Sequence, residues 1–299
     1  MRLTAIVPAT DGRPELAECV DAIRRGGADE LVVVDSPAGL NAAAARNAGT
    51  ELATGDVLVF IDSDVLVHAD AFARVSEAFE RRPDLTAVFG SYDDSPRAAG
   101  TVSRFRNLLH YHVHHTSAGP ASTFWTGLGA VRREALLAAG GFDEGFTAIE
   151  DIELGMRLAG AGAVIELDPG IQGTHLKSWS LRSMVATDLL RRGVPWVVVL
   201  LRAGTTSSAL NLGWRHRLSA GASVACMGAG VSRRPRGVLA ALAALVALNA
   251  SFYGLLLRRG GPRLAGPGVL LHAVHHLTSV VSVPVGAVVY ARQRRAEAS

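Results

Sequence analysis

Three short uncharged runs, separated by helical patterns, constrain the fold of this chain more than any other feature. The runs lie at residues 3–7, 31–34 and 57–61, and they are rich in β-branched residues. Runs of this kind are typical of strands that a parallel sheet buries on both faces. Apolar residues recur at helical spacing between the runs, so the alternation predicts an α/β domain with a mostly parallel, doubly wound sheet.

Two carboxylates, Asp62 and Asp64, follow directly after the third run. In an extended chain this spacing points both side chains to the same face. Two like charges so close together favour the binding of a divalent cation that prefers oxygen ligands. An acidic turn before the next helix is the alternative interpretation of an isolated pair. Ligands of such sheets bind beyond the carboxyl ends of the strands, where Pro8 and Asp35 also lie. The sequence therefore predicts a ligand site at this edge.

A second acidic pair, Glu150 and Asp151, lies at the start of a helical pattern over residues 149–158. The helix dipole favours negative charge in the first turn and is expected to lower the pKa of these carboxylates, and a fixed ionised carboxylate can act as a general base. Helix capping is the alternative interpretation. Beyond a further predicted strand at 163–167, His175 either completes the coordination of a metal or has a structural role.

Charge and hydropathy divide the chain near residue 210. From residue 211 onward there are eleven arginines and one acid, which leaves 19 basic and 26 acidic residues before it. The uncharged stretches 237–257 and 267–291 are long enough to span a bilayer, and 218–231 is a shorter candidate. Buried core helices are the alternative. We expect a catalytic domain at 1–210 and a transmembrane region of two to three hydrophobic helices at 211–299.

Residues 181–210 are expected to include a helix at the membrane interface, because charged residues alternate there with leucine, valine and Trp196. A buried helix of the catalytic domain is equally compatible. The first apolar run is too short for a signal peptide, and the two cysteines support neither a disulfide framework nor a metal site. We therefore expect attachment to the inner (cell) membrane with the catalytic domain facing the cytoplasm, and no nucleic-acid partner.

Six segments match a known family in their order along the chain. They are Ile6-Val7-Pro8, residues 32–36, 45–49, 55–64, 140–144 and 150–155. Together they resemble the family 2 glycosyltransferases, which are inverting enzymes with a GT-A fold. The stretch from His175 to Trp179, with the apolar tail, is similar to the membrane-attached bacterial members.

The resemblance implies a role for each candidate residue. The nucleotide-sugar would contact Pro8, Asp35, Arg46, Asp62 and Ser63. The metal ion, Mg²⁺ or Mn²⁺, would bind Asp62, Asp64 and His175. The acceptor would contact Trp125, Gly127 and Trp179. Asp151, or else Glu150, would deprotonate the acceptor. The donor would be a UDP- or GDP-linked sugar and the acceptor a lipid or lipid-linked molecule. Many members have Asp-Asp-Gly-Ser where this chain has Asp35-Ser36-Pro37, so the resemblance does not fix the identity of the donor nucleotide.

Two alternative functions are compatible with the same residues. A polyprenyl phosphate acceptor is already ionised and would need no general base, and a non-catalytic membrane scaffold could use the same fold. A nucleotidyltransferase is disfavoured because residues 8–13 do not form a glycine-rich basic loop. A processive polymer synthase is disfavoured because the chain has no Gln-x-x-Arg-Trp segment. The sequence leaves the oligomeric state open.

Overall fold

A computed structural model describes residues 1–204 and 213–297. The chain divides into two compact units, one of residues 1–98 with 113–177 and one of residues 99–112 with 178–299. Residues 178–204 therefore group with the C-terminal helices. The predicted boundary between residues 210 and 211 lies outside the described residues and stays a prediction.

The first unit is built on an eight-stranded mixed sheet within the described residues. Its strands are β1 (Leu3–Pro8), β2 (Glu30–Val34), β3 (Val57–Ile61), β4 (Val65–Val67), β5 (Leu85–Tyr92), β6 (Gly119–Ala121), β7 (Leu128–Arg132) and β8 (Val164–His175). The strand order is β2-β1-β3-β7-β5-β8-β4, and β6 pairs with β8. Strands β1, β2, β3, β5 and β8 run in one direction, and β4, β6 and β7 run in the other. The predicted α/β class with mostly parallel strands is confirmed.

The first unit also contains five helices in addition to the end of α4, among the residues described. They are α1 (Leu16–Gly26), α2 (Ala42–Leu52), α3 (Ala71–Arg81), α5 (Arg133–Ala138) and α6 (Glu150–Gly160). Helix α4 (Thr101–Thr116) belongs partly to each unit.

The core of the first unit lies where α1 and α3 cover the sheet. All five residues of β3 are buried, as the absence of polar residues predicts. Cys19 and Ile23 of α1 and Phe72 and Phe79 of α3 belong to the same buried cluster. Each fully buried side chain of this size contributes about 1.5–3 kcal/mol through removal from water. This packing fixes the sheet and with it the edge that carries the polar residues.

Five strands end at the same edge of the sheet because they share one direction. The residues just beyond β1, β2, β3, β5 and β8 therefore lie along one line, and β7, which runs the other way, begins there. The prediction that Pro8, Asp35 and the Asp62–Asp64 pair lie at the carboxyl ends of neighbouring strands follows directly from this topology.

The second unit is helical. Its elements are α7 (Leu181–Ala186), a π-helical segment (Thr187–Gly193), α8 (Val194–Ala203), α9 (Trp214–Val231), α10 (Pro235–Leu248), α11 (Ala250–Gly260) and α12 (Pro262–Glu297). By length and composition, α12 is long and apolar enough to cross a membrane. The pair α10–α11 passes the same test only if the two helices count as one bent span.

The stretch 237–257 does not form the single helix that its lack of charge suggests. It is divided at Asn249, where α10 and α11 meet at an angle of 80°. The Asn249 side chain donates hydrogen bonds to Ser219 Oγ at 2.8 Å and to the Leu245 carbonyl at 2.9 Å. A polar side chain satisfied inside the helical unit thus marks the break, which hydropathy alone does not detect.

An ion-pair network lies inside the second unit. Asp188, in the π-helical segment, contacts Arg106 Nη2 at 2.6 Å and His275 Nδ1 at 2.8 Å. All three side chains are less than a tenth exposed. Asp188 can be buried because Arg106 and His275 compensate its charge.

Candidate active site

The first acidic pair lies in the turn between β3 and β4. The Asp62 N–H donates a hydrogen bond to the carbonyl oxygen of Gly127 at 3.3 Å, which joins this turn to the start of β7. Ser63 and Asp64 are buried, whereas the Asp62 side chain is 36% exposed. The two carboxylates therefore differ in environment although they are two residues apart.

Arg46 of α2 joins the two acidic motifs. Its Nη2 donates to Asp62 Oδ1 at 2.9 Å, and its Nη1 donates to a carboxylate oxygen of Glu150. Arg46 and Glu150 are only 4% and 6% exposed. A buried guanidinium between two carboxylates is held by opposite charge from both sides, so it fixes the distance between the motifs.

The other carboxylate, Asp64, has two cationic or polar neighbours. Arg13 Nη1 lies 2.6 Å from Asp64 Oδ2, and His175 Nε2 lies 3.7 Å from Asp64 Oδ1. Burial acts to raise the pKa of Asp64, but the contacts with His175 and Arg13 outweigh it and lower the pKa below the usual range. Asp64 is therefore ionised at neutral pH. The ring of His175 stacks on Tyr92, with centroids 4.1 Å apart.

Asp151 lies in the first turn of α6 and is held by three donors. Its Oδ2 accepts hydrogen bonds from the Thr126 N–H at 3.2 Å and the Thr126 hydroxyl at 3.3 Å, and its Oδ1 accepts one from the Ile152 N–H at 2.8 Å. The expected lowering is wrong for Asp151, because burial, followed by the negative charge of Glu150, raises its pKa to about 6. A fixed carboxylate with such a pKa is ionised at pH 7 and is a stronger base than an exposed one.

The residue before this helix has a strained backbone. Ile149 adopts a left-handed conformation with φ of 59°. A β-branched residue in this region is unfavourable by about 1–3 kcal/mol, and such residues are concentrated at functional sites. The sharp turn at Ile149 sets the direction in which Glu150 and Asp151 enter the helix.

The remaining predicted donor and acceptor residues occupy different places. Pro8 ends β1, and Asp35 is exposed directly after β2. Trp125 packs edge-on against Tyr92 at 4.9 Å, close in sequence to Gly127. Trp179 belongs to the second unit, where Arg106 lies 5.6 Å from its ring. An acceptor role for Trp125, Gly127 or Trp179 stays a prediction.

Sequence reasoning missed three contributors to this site. Arg13 pairs with Asp64, Thr126 donates to Asp151, and Tyr92 stacks on His175. For Arg13 a signal existed, because it lies beyond the carboxyl end of the first predicted strand, whereas Tyr92 is recognised only as the last residue of β5. Thr126 had no such signal, because its role depends on the contact between the start of β7 and α6.

The donor atoms at the sheet edge fit a divalent cation that shares its ligands with a substrate. Carboxylate oxygens suit Mg²⁺ and Mn²⁺, and an imidazole nitrogen is also acceptable to Mn²⁺. Among residues 1–204 and 213–297, no group of three such side chains is arranged to hold a metal by itself. Cations of this type commonly take one or two carboxylates from the protein and the remaining ligands from phosphates and water. The residues present are compatible with that arrangement.

Part of the chain matches a known protein family. The family model described as Glycosyl transferase family 2 matches residues 10–138. The pre-mycofactocin glycosyltransferase of Mycobacterium tuberculosis is 28% identical over 204 residues, which cover 62% of this chain and 40% of that protein. The match thus spans less than half the length of this relative.

Solved structures are similar over nearly the whole chain. A mannosyltransferase, PcManGT from Pyrobaculum calidifontis in complex with GDP-Man and Mn²⁺, has a TM-score of 0.57 at 20% identity, covering 94% of this chain and 86% of that one. S. aureus TarS 1–349 in complex with UDP-GlcNAc has a TM-score of 0.46 at 13% identity, covering 95% and 91%. Residues 10–138 therefore match a glycosyl transferase family 2 domain, and the similarity to the mannosyltransferase structure shows that the chain has a GT-A fold.

Proposed function

We propose that this protein transfers a sugar, with inversion, from a GDP- or UDP-linked donor to a lipid-linked hydroxyl acceptor at a membrane surface. The contact that supports the proposal most is the pairing of Arg46 with both Asp62 and Glu150. It holds the acidic pair of the donor side next to the acidic pair that can serve the acceptor. In a nucleotide-sugar transferase, the groups that bind the donor diphosphate and the base that deprotonates the acceptor must lie no farther apart than about the length of one sugar.

On the acceptor side, Asp151 is the proposed general base. The acceptor oxygen forms a bond to the anomeric carbon while the bond from that carbon to the diphosphate oxygen breaks. The hydroxyl proton goes to Asp151, and the electron pair of the broken bond leaves with the nucleoside diphosphate. The Thr126 and Ile152 hydrogen bonds orient the carboxylate, and its pKa of about 6 leaves it ionised and basic at pH 7.

On the donor side, Asp62, Asp64 and His175 are the proposed ligands of Mg²⁺ or Mn²⁺. When bound, the cation supplies positive charge to the departing diphosphate. Asp35 and Pro8 are proposed to contact the nucleoside at the carboxyl ends of the first two strands, and Ser63 lies between the metal carboxylates. The similar mannosyltransferase was solved with GDP-Man and Mn²⁺, which favours a GDP-linked sugar and Mn²⁺ as the first pair to test.

The second unit is proposed to attach the enzyme to the inner (cell) membrane, with the catalytic unit in the cytoplasm. Large apolar side chains are exposed along its helices, among them Leu218, Leu239, Leu270, Val283 and Val288. Exposed apolar side chains in such numbers are unfavourable in water and favourable in lipid. Arginines flank the apolar segments, as is typical of loops on the cytoplasmic side.

The proposal is tested with the purified full-length protein in detergent. GDP- and UDP-linked sugars are supplied with a membrane lipid extract, with Mn²⁺ or with EDTA, and nucleoside diphosphate release is measured. We expect release from at least one donor that requires both Mn²⁺ and lipid. Absence of release with every donor in the presence of lipid would contradict the proposal. Full release by Asp151→Asn would instead point to a polyprenyl phosphate nucleophile, which needs no base.

Membrane attachment is tested separately by fractionating cells that express the protein. We expect it to sediment with membranes and to resist extraction by high salt, because apolar insertion does not depend on charge screening. Recovery in the soluble fraction would contradict attachment.

A further inference from the structure

Arg13 forms an ion pair with Asp64, one of the proposed metal ligands. Its Nη1 lies 2.6 Å from Asp64 Oδ2, and its Nε lies 2.5 Å from Asp11 Oδ2. One guanidinium thus bridges an exposed carboxylate of the loop after β1 and a buried carboxylate of the site. Asp64 is 7% exposed at its side chain, so a cation at this position is well shielded from solvent. No sequence motif assigned a function to Arg13.

The site contains more negative than positive charge, and its two arginines differ in burial. Four carboxylates, Asp62, Asp64, Glu150 and Asp151, face the guanidinium groups of Arg13 and Arg46, and the ammonium group of Lys177 adds a weaker attraction to Asp64. Arg46 is buried and is paired on both sides, so it cannot move without exposing buried charge. The Arg13 side chain is 31% exposed and follows Gly12, whose φ of 63° is open to few other residues. Of the two, Arg13 is the one that can leave its carboxylate.

We propose that Arg13 is the counter-ion of Asp64 in the donor-free enzyme, that a divalent cation displaces it, and that it then binds the diphosphate of the donor. The inference rests on the proposed function. A guanidinium and a divalent cation compete for the same carboxylate oxygen. A diphosphate then adds negative charge beside the displaced group, and guanidinium binds phosphate through two parallel hydrogen bonds. Arg13 therefore opposes metal binding when no donor is present and favours donor binding afterwards.

Removal of the guanidinium should act in opposite directions on the two ligands. In Arg13→Ala, Mn²⁺ affinity without nucleotide is expected to rise about three- to fivefold, because a partly exposed ion pair no longer competes. Affinity for GDP or UDP at saturating Mn²⁺ is expected to fall about tenfold, the loss typical of a charged hydrogen bond. Arg13→Lys keeps the positive charge but cannot form two parallel hydrogen bonds to a phosphate, so we expect intermediate affinities for both Mn²⁺ and the nucleotide.

The measurements use the full-length protein in detergent. Free Mn²⁺ is followed by electron paramagnetic resonance, and GDP and UDP binding by calorimetry. Arg74→Ala is the matched control, since Arg74 pairs with Asp70 at 2.6 Å on the exposed face of α3; neither affinity should change. Circular dichroism of each variant verifies the fold, and the Lys variant keeps the test valid if the Ala variant does not fold.

The outcomes separate this inference from the proposed function. If the wild-type protein binds neither Mn²⁺ nor either nucleotide, the proposed function fails. If the wild type binds them and Arg13→Ala leaves both affinities unchanged, Arg13 is a surface residue only and the inference is overturned. A loss of Mn²⁺ affinity in Arg13→Ala would also overturn it, because Arg13 would then support the metal site and not compete with it.

Discussion

Asp151→Asn should make the protein more stable while it removes the proposed base. The pKa of Asp151 is raised from 3.8 to about 6, mainly by burial. One pKa unit corresponds to about 1.4 kcal/mol, so the ionised side chain destabilises the folded state by up to about 3 kcal/mol. An asparagine has a similar size, no charge, and an oxygen that accepts from Thr126, and the lost hydrogen bond from the Ile152 N–H makes this value an upper limit. In a domain of this size, 1 kcal/mol shifts Tm by about 2–4 °C, which sets an upper limit of about 6–12 °C.

The pH dependence of the stability difference between Asp151→Asn and wild type separates the effect of the charge from other effects of the substitution. Below pH about 4, Asp151 is protonated in both the folded and the unfolded state, and its ionisation makes no difference to stability. Between pH about 4 and 6 the unfolded chain has released this proton while the folded state still holds it. The folded state therefore loses stability relative to the unfolded state as pH rises through this window. The stability gain of Asp151→Asn should be near zero at pH 4, grow through pH 6 and stay constant above pH 7.

Thermal unfolding at a series of pH values measures this difference directly, with wild type and variant compared in the same detergent. Glu153→Gln is the control, because it makes the same chemical change on the same helix at a carboxylate that pairs with Arg157. We expect no stabilisation there. A difference between Asp151→Asn and wild type that stays constant from pH 4.5 to 8, or a loss of stability at pH 8, would refute the idea that the carboxylate is held with a raised pKa.

Three further predictions concern the same site. First, kcat/KM for sugar transfer should fall as pH drops through about 6, because the protonated Asp151 cannot accept the acceptor proton; a pH–rate profile measures this. Second, Arg46→Met should lower the free energy of unfolding by about 3–5 kcal/mol in denaturant titrations, because it leaves two carboxylates unpaired. Third, Gly155→Ala should unfold at lower temperature and lose activity, since its Cβ would lie 2.0 Å from the Phe124 backbone nitrogen, whereas Gly160→Ala on the same helix meets nothing within 4 Å and should be tolerated.

Each of these predictions has an outcome that contradicts it. An activity profile that is flat from pH 5 to 8 would exclude Asp151 as a base that titrates near 6. Unchanged stability of Arg46→Met would mean that the carboxylates around it are solvated and do not depend on its charge. Equal unfolding temperatures for Gly155→Ala and Gly160→Ala would mean that α6 can move away from Phe124, in the segment between β6 and β7, without loss of stability.

Several features of this protein could be predicted from local sequence. The composition of residues 57–61 predicted the central strand, since an uncharged β-branched run can only be buried. The positions of Asp62 and Asp64 after that strand predicted the edge of the sheet at which a ligand binds. The ordered set of motifs predicted the family 2 domain, which the comparisons confirm for residues 10–138.

The contacts that give each carboxylate its properties were beyond local sequence. Asp62 and Asp64 have the same residue type and nearly the same position, yet one pairs with Arg46 and the other with Arg13 and His175. At the break between α10 and α11, Asn249 likewise donates a hydrogen bond to Ser219, 30 residues earlier. Composition and periodicity report what one segment can do, and none of these contacts lies within one segment.

The sequence by itself determined the strands, the helices and the residues able to do chemistry, because hydrophobic periodicity and side-chain type are properties of neighbouring residues. The tertiary structure decided which charges meet. Arg46 comes from α2, Arg13 from the loop after β1 and Asp151 from α6, and the direction of the strands brings them to one edge. The strength and the pKa of a charged group depend on burial and on partners within a few ångströms, and only the folded chain supplies both.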